Sequence, residues 1–571
     1  MIGGSVLGAV VQEVLRLQTS PGAACQVTPS GVYGPICNTP ASIHIPVEYR
    51  SIGPVLIMAV GALALLAASS VLPKRSRPGL WSWLTAGVAA AAAVVSCLQW
   101  SDIGKHGPSV TIGQQIFYDR FSVLFLLLIS VATVLGALLA DSYLRREGLD
   151  GVEAYVLMLF CGSGAMLMAE AAGLIMLFLG LEIMSIALYV LAAYHRRRVE
   201  SGEAGLKYFI LGAFSSAIFL YGAALVYGAT GSTQFTEMAQ FLARNTLGHD
   251  GVLLAGVALL IVGLGFKVAA VPFHFWTPDV YEGAPTPFTG YMAAVAKAAG
   301  FAGLIRALIE GLGSQQANWR PIIWVLAVLT LLVGSVMALA QRNLKRMLAY
   351  SSISQAGYVL IGLQAASVRG TAGMLFYLFT YTFIIAGTFA VVSVIQGDGE
   401  ARNDLGAISG LSRRRPALAL AMLVLLLAQA GVPFTSGFLA KFYVIQAALA
   451  RGQYALAVIG MLAAAIAAFF YLRVALLMYR PAGEERPDDG ALGAGLEPLA
   501  GMDPDDLATA GAASDTAGAA SYGVALLAPP AGRVRVPATV AVTLVVCVAF
   551  TIFAGVSSPV IDLARDATLI F

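Results

Sequence analysis

The sequence predicts an all-α polytopic membrane protein of about fourteen transmembrane helices, with two inverted five-helix repeats and discontinuous helices 7 and 12. Three observations carry this. Of 571 residues, 58% are hydrophobic and only 11% charged, less than half the ~25% charged share of a soluble chain, and mean hydropathy is +0.81. Apolar runs long enough to cross a bilayer recur, since about 20 residues rising 1.5 Å each span its core. Finally, VPF interrupts two unusually long apolar segments, at 271–273 and again at 432–434, and each segment carries a lysine. Interrupted helices at corresponding positions of two halves mark an inverted repeat.

The spans fall near 52–72, 80–98, 117–140, 151–168, 171–194, 204–229, 252–280, 287–311, 321–341, 346–365, 371–396, 417–447, 454–479 and 537–563. Only a short stretch, AEAAG (169–173), separates the fourth from the fifth. The two VPF breaks lie five spans apart, which makes spans 4–8 (151–311) one repeat and spans 9–13 (320–480) the other. Spans 1–3 (51–150) precede them and span 14 (537–563) follows. Residues 1–50 form an exterior N-terminal segment. Residues 481–536, rich in Ala, Gly, Pro and Asp, lack the apolar content to bury a core and form a flexible cytoplasmic loop.

Basic residues set the orientation. Loops after odd-numbered spans read PKRSRPG (73–79), LRREG (144–148), YHRRRVE (194–200), QRNLKR (341–346), LSRRRP (411–416) and YRPAGEER (479–486). Loops after even-numbered spans hold little beyond Lys105, Arg244, Arg320, Arg369 and Arg451. Odd loops are therefore cytoplasmic and both termini exterior. The apolar patch SVLGAVV (5–11) lacks a preceding basic region and does not fit a signal peptide. Cys97, Cys161 and Cys547 lie singly in apolar helices as small buried hydrophobes. Cys25 and Cys37 would be able to form a disulfide if their segment faces an oxidising compartment.

Five ionisable residues sit inside apolar spans: Glu182, Lys207, Lys267, Lys297 and Lys441. Each costs roughly 2.5–3.5 kcal/mol at the membrane centre on insertion scales, so they must be paired, hydrated or neutralised. Lys207 lies near its helix start, where snorkelling to the interface competes with a buried role. Glu182 and Lys267 share depth and differ in sign, so an ion pair is the simplest way to lower their cost. Burial disfavours a charged lysine and a nearby carboxylate favours it. A Glu182–Lys267 pair followed by Lys297 and Lys441 is therefore a coupled chain of proton sites. The proline breaks free backbone groups that protein or water must satisfy. His274, in PFHFW, has two readings, a relay or a hydrogen-bonded packing residue. Asp279 and Glu282 shape a cytoplasmic loop, Arg306 and Arg473 snorkel or pair near helix ends, and Ser351 and Ser352 pack helices unless water joins them into a wire. The net charge of +3 and the lack of a basic tract with interleaved aromatics argue against nucleic acid. There is no nucleotide loop, haem ligand set, iron–sulfur cysteine pattern or flavin fingerprint, and so no redox chemistry of the chain's own.

KVAAVPFHFWTPDVYEGAPTP (267–287), EAGLKYFILGAFSSAIFLYG (203–222), NLKRMLAYSSISQAGY (343–358) and AGVPFTSGFLAKF (430–442) together closely resemble the antiporter-like membrane subunits of bacterial respiratory NADH:quinone oxidoreductase, or complex I, and the N type in particular. The resemblance is strong over about 150–480, looser in the first and last spans, and has no counterpart for the 481–536 loop. It implies a subunit of the bacterial plasma membrane that pumps protons as quinone is reduced elsewhere. Neighbouring membrane subunits and the lipid bilayer would surround it, and NADH, FMN, iron–sulfur clusters and quinone would be bound by other subunits. Carried over, Glu182 and Lys267 are the pair on helices 5 and 7, Lys297 the central relay on helix 8, and Lys441 the outer-half lysine on helix 12. A lysine there is similar to the N type and unlike the M type, and the resemblance leads to no expectation of the L type's long lateral helix. Gln355 stands where many relatives have histidine, and a glutamine neither takes nor gives a proton near neutral pH. A subunit of a multi-component sodium/proton antiporter is the related alternative.

Overall fold

A computed structural model describes residues 48–71, 79–245, 250–397, 400, 403–480, 536–557 and 559–568. The Cys25–Cys37 pairing, and all but the last residues of the 1–50 segment and of the 481–536 loop, lie outside them. The first six spans are α1 (Gly53–Val71), α2 (Leu80–His106), α3 (Arg120–Arg146), α4 (Glu153–Glu170), α5 (Leu174–Ala192) and α6 (Val199–Thr230). The seventh is broken into α7 (Gly251–Lys267) and α8 (Trp276–Gly283). Then come α9 (Thr286–Ile305), α10 (Gln316–Leu339), α11 (Leu344–Gln364) and α12 (Val368–Ile395). The twelfth is broken into α13 (Pro416–Ala430) and α14 (Ser436–Ala450), and α15 (Tyr454–Tyr479) and α16 (Ala538–Val556) follow. Among the described residues, 11 helices are long and apolar enough to cross a membrane. The two broken segments and the more polar α11 occupy predicted spans 7, 12 and 10.

The thin break between the fourth and fifth spans is a true chain reversal. Ala172 N–H bonds Gln115 O at 2.9 Å and Leu174 N–H bonds Thr233 O at 2.9 Å. The helices on either side pack backbone to backbone: a Cβ on Gly164 would lie 2.8 Å from the Gly180 carbonyl oxygen, a contact only glycine permits. A small hairpin, Ser109–Thr111 paired with Ile116–Tyr118, precedes α3.

Helices α9 and α12 form the interior. Every residue of α9 is buried, and so is every residue of α12 from Gly370 onward. By contrast α6 turns large apolar side chains such as Phe209 and Phe214 outward. A lysine in the middle of α9 therefore has no route to solvent along its own helix and must find its partners inside the protein.

Candidate functional site

Each break leaves backbone groups without helical partners, and side chains satisfy them. In the first, Trp276 Nε1 donates to Phe266 O at 3.0 Å and Val271 N donates to Thr330 Oγ1 at 2.9 Å. In the second, α13 ends at Gly431 with φ 88°, and Lys441 Nζ reaches back to Gln429 O at 2.8 Å and Ala430 O at 2.9 Å. Protein groups bond the freed backbone, and in the second break the lysine itself does so.

Lys267 ends α7 and is 1% exposed. Its ammonium lies over the rings of Tyr189 at 5.3 Å, Tyr208 at 5.4 Å and Phe266 at 5.9 Å. The expected ion pair with Glu182 is not closed. Neither Lys267 Nζ nor Glu182 Oε1 has a hydrogen-bond partner, although the carboxylate is near enough to act on the lysine through space. An aromatic cage takes the place of direct contact, since ring faces attract a cation within about 6 Å.

Lys297 lies at the middle of α9 and is buried. Its Nζ donates to Ser352 O and, at 2.5 Å, to Ser352 Oγ. Tyr381 OH donates to the same hydroxyl at 2.8 Å, and Tyr281 OH approaches it at 3.4 Å. One residue away, Ser351 Oγ meets Tyr471 OH and bonds Gln429 Oε1 at 3.3 Å. Gln355 Nε2 donates to Tyr471 OH at 3.0 Å and to Gln429 O at 3.1 Å, and Tyr377 OH donates to Gln355 Oε1. Gln429 O is also the acceptor for Lys441. Two buried polar groups thus lie between Lys297 and Lys441, one at Ser352 and one running from Ser351 to Gln429. They are adjacent along α11, with no hydrogen bond between them among the described residues, and Lys441 Nζ stands 4.8 Å above the Tyr358 ring. Ser352 belongs to the first group and Ser351 to the second, so both serines do more than pack helices. No hydrogen bond links Lys267 to Lys297 among the described residues.

Lys207 is placed elsewhere. It is 42% exposed and pairs with Glu203 at 2.7 Å and Asp279 at 2.8 Å, away from the row of buried lysines. Asp279 and Glu282 do more than shape a loop: both lie on α8 and bind Arg346 at 2.8 Å. Together with Arg198, Glu200 and Glu400 they line a charged vestibule of about 690 Å³. Sequence reasoning missed the centre of this cluster. Glu400 is buried and accepts from Arg198 and Lys345, each at 2.8 Å, and from Thr286 N at 2.7 Å. Burial pushes its carboxyl up, but Lys345, Arg198 and the Thr286 N–H outweigh that and hold it down at about 2. Lys345 stood within a quoted motif but was counted only as loop charge, and GDGEARND gave no periodicity to mark Glu400. His274 sits in the first break, half-buried, with Nδ1 unpartnered and its ring 5.1 Å from Phe275.

The family model described as NADH:quinone oxidoreductase/Mrp antiporter, TM matches residues 171–467. A chain of the Mrp complex from Dietzia sp. DQ12-45-1b is similar in fold, with TM-score 0.74 at 22% identity, covering 91% of this chain and 97% of that one. Fold and buried lysines together define an antiporter-like, multi-pass membrane subunit. Among curated proteins, the NADH-quinone oxidoreductase subunit N of Trichlorobacter lovleyi is 42% identical over 78% of this chain and 91% of its own length. A chain of respiratory complex I from Thermus thermophilus is 32% identical, with TM-score 0.66, covering 90% of this chain and 99% of that one. The chain belongs to the NADH-quinone oxidoreductase subunit N family.

Proposed function

We propose that the chain is a non-redox, proton-translocating subunit of an NADH:quinone oxidoreductase, and that Glu182, Lys267, Lys297 and Lys441 carry the protons. The observation that carries this reading is the pair of buried polar groups that lie next to each other on α11 between Lys297 and Lys441. A hydroxyl donates and accepts at once, so Ser352, Tyr381, Ser351 and Tyr471 are able to pass a proton by turning; a carboxamide has fixed donor and acceptor ends and is not. Each group therefore relays a proton over its own hydroxyls, the step from Ser352 to Ser351 needs water or a turned side chain, and the path is interrupted again at Gln355 and Gln429. On the other side, the gap between Lys267 and Lys297 is bridged only when water or a shifted side chain fills it. Interruptions on both sides of a central lysine are what a pump needs, because a continuous wire would leak.

Quinone reduction elsewhere in the complex drives the cycle, and NADH, FMN, iron–sulfur clusters and quinone are held by other subunits. Other membrane subunits of that complex and lipid cover the outward apolar faces. The chain lies in the bacterial plasma membrane with both termini outside, as the loop charges direct, and 151–311 and 320–480 act as its two repeats. Lys207 and His274 serve at the edge of the path, Lys207 in the charged vestibule and His274 in the first break. The sodium/proton antiporter alternative has no observation in its favour, since the Mrp likeness is one of fold.

The test replaces Lys297 by Met in the assembled complex and follows NADH-driven quinone reduction and proton movement. Loss of proton movement with assembly retained supports the path. Unchanged movement would sink it.

A further inference from the structure

Where α9 ends, its last turn widens into a π-helix, Arg306–Gly311. Arg306 is fully buried there between the rings of Phe117 and Phe121, each 4.4 Å from its guanidinium carbon. Every donor it has is committed. Nη1 and Nη2 grip the two oxygens of Asp119 at 2.8 Å each. Nη1 also bonds Glu310 Oε1, Nη2 bonds Ser122 Oγ at 2.7 Å, and Nε bonds Ala169 O at 3.1 Å. Since a guanidinium has five N–H groups and no more, none remains for the next residue, Glu170.

Glu170 is 1% exposed, its Oε2 has no partner, and Asp119 and Arg306 act on it through space. Glu310 Oε2 is likewise unpartnered. One cation thus faces three buried carboxylates, and Asp119 already balances it. An ion buried without a partner costs several kcal/mol; a proton on the carboxyl removes that cost. Among the described residues, the surrounding elements bring no second cation to Glu170. The short helix Phe235–Arg244 closes this end with Phe235, Met238 and Leu242, and the hairpin contributes Tyr118, whose OH donates to Asp102 Oδ2 at 2.9 Å. Asp102 in turn binds His106 Nδ1 at 2.8 Å, and His106 is 70% exposed. Polar groups therefore lead outward from beside Glu170 to the surface.

We propose that Glu170 is a further proton-carrying residue of this subunit, a carboxylic acid at neutral pH that loads and releases one proton beside the Arg306–Asp119 pair. Along α9, Lys297 stands about 16 Å from Thr286 at the vestibule end, and Arg306 about 13 Å further on. Glu170 thus serves the end of the molecule away from the charged vestibule. On release the carboxyl O–H bond breaks, the electron pair stays on the carboxylate, and the proton passes to water or along the Tyr118–Asp102–His106 groups. The protonated state stands on the geometry alone; its place in transport rests on the translocation reading above.

The test is infrared spectroscopy of the assembled complex in normal and heavy water, on the native chain and on Glu170→Gln and Glu310→Gln, with proton pumping measured alongside. The expected result is a protonated-carboxyl stretch at neutral pH that shifts in heavy water and is lost in Glu170→Gln but kept in Glu310→Gln. Pumping falls in Glu170→Gln and recovers in Glu170→Asp. A native spectrum unchanged by Glu170→Gln would overturn the proposal, as would a band that responds to sodium rather than to pH. If the Glu170 band is lost as expected while Lys297→Met still pumps, the translocation reading fails and the protonated site stands.

Discussion

Lys267 holds its charge, when charged, against three ring faces rather than against a carboxylate. Each such contact contributes ~0.5–2 kcal/mol, and removing the lysine orphans no hydrogen-bonded partner, because Nζ has none. Lys267→Met should therefore leave assembly intact and lower NADH-driven proton pumping by about tenfold, short of the 10²-fold typical of a positioned acid–base group because water is able to enter the cage. Normal pumping in the assembled variant would show that the cage is structural. Gln355 offers a test of the opposite kind. Its amide bonds Tyr471, Tyr377 and the Gln429 carbonyl, and it interrupts the path because it does not titrate. Gln355→His puts a group with an ordinary pKa of about 6.5 into that gap. Pumping against pH should then gain an inflection near that value, checked by initial rates across a pH series. A profile that stays flat there would mean protons bypass this position.

At the scale of elements, the two broken helices solve one problem in opposite ways. Lys267 lies before its break and points into aromatics, whereas Lys441 lies after its break and caps the carbonyls of Gln429 and Ala430. Gly431 makes the second arrangement possible, since its φ is 88° and a Cβ would sit 3.0 Å from Lys441 Cδ. Gly431→Ala should cost roughly 1–2 kcal/mol from the left-handed backbone alone and push Lys441 off its carbonyls. The measurements are a lowered thermal midpoint of the complex and reduced pumping. The breaks themselves were legible in the sequence, because a VPF tripeptide inside an apolar run has few other meanings and recurs five spans later. The buried lysines were legible for the same reason, a charge in the wrong solvent. Their partners were not. Ser351, Ser352 and Tyr471 are ordinary residues in a membrane helix, and only packing brings α11, α13 and α15 close enough to link their side chains. Nor was the unclosed Glu182–Lys267 pair foreseeable, since opposite sign and similar depth leave lateral distance unspecified.

Over the whole molecule, polar groups are distributed in three levels along α9: the charged vestibule at Thr286, Lys297 in the middle, and the Arg306 cluster at the far end. The Arg306 end ties α9 to the start of α3 and the end of α4, and the vestibule end holds the ends of helices together across the repeats. Glu400 does this most directly, joining Arg198 before α6, Lys345 on α11 and the first N–H of α9, where a carboxylate also meets the positive end of the helix dipole. Its pH dependence has a definite sign. A carboxyl held at about 2 in the folded chain against an ordinary 4.5 contributes stability that is fully present above about 4.5 and is lost as pH falls toward 2. The Glu400 contribution should thus be constant from pH 8 down to 5 and vanish only in strong acid. Lys345→Ala leaves the buried carboxylate short of a cation and should cost about 3–5 kcal/mol, whereas Glu400→Gln keeps the shape and removes the acid-sensitive component. Thermal midpoints of the complex, measured for the native chain and both variants between pH 8 and 3, decide the matter. Glu400→Gln should lie below the native chain at neutral pH and converge on it in acid. Parallel curves over the whole range would mean that this carboxylate does not hold the repeats together by its charge.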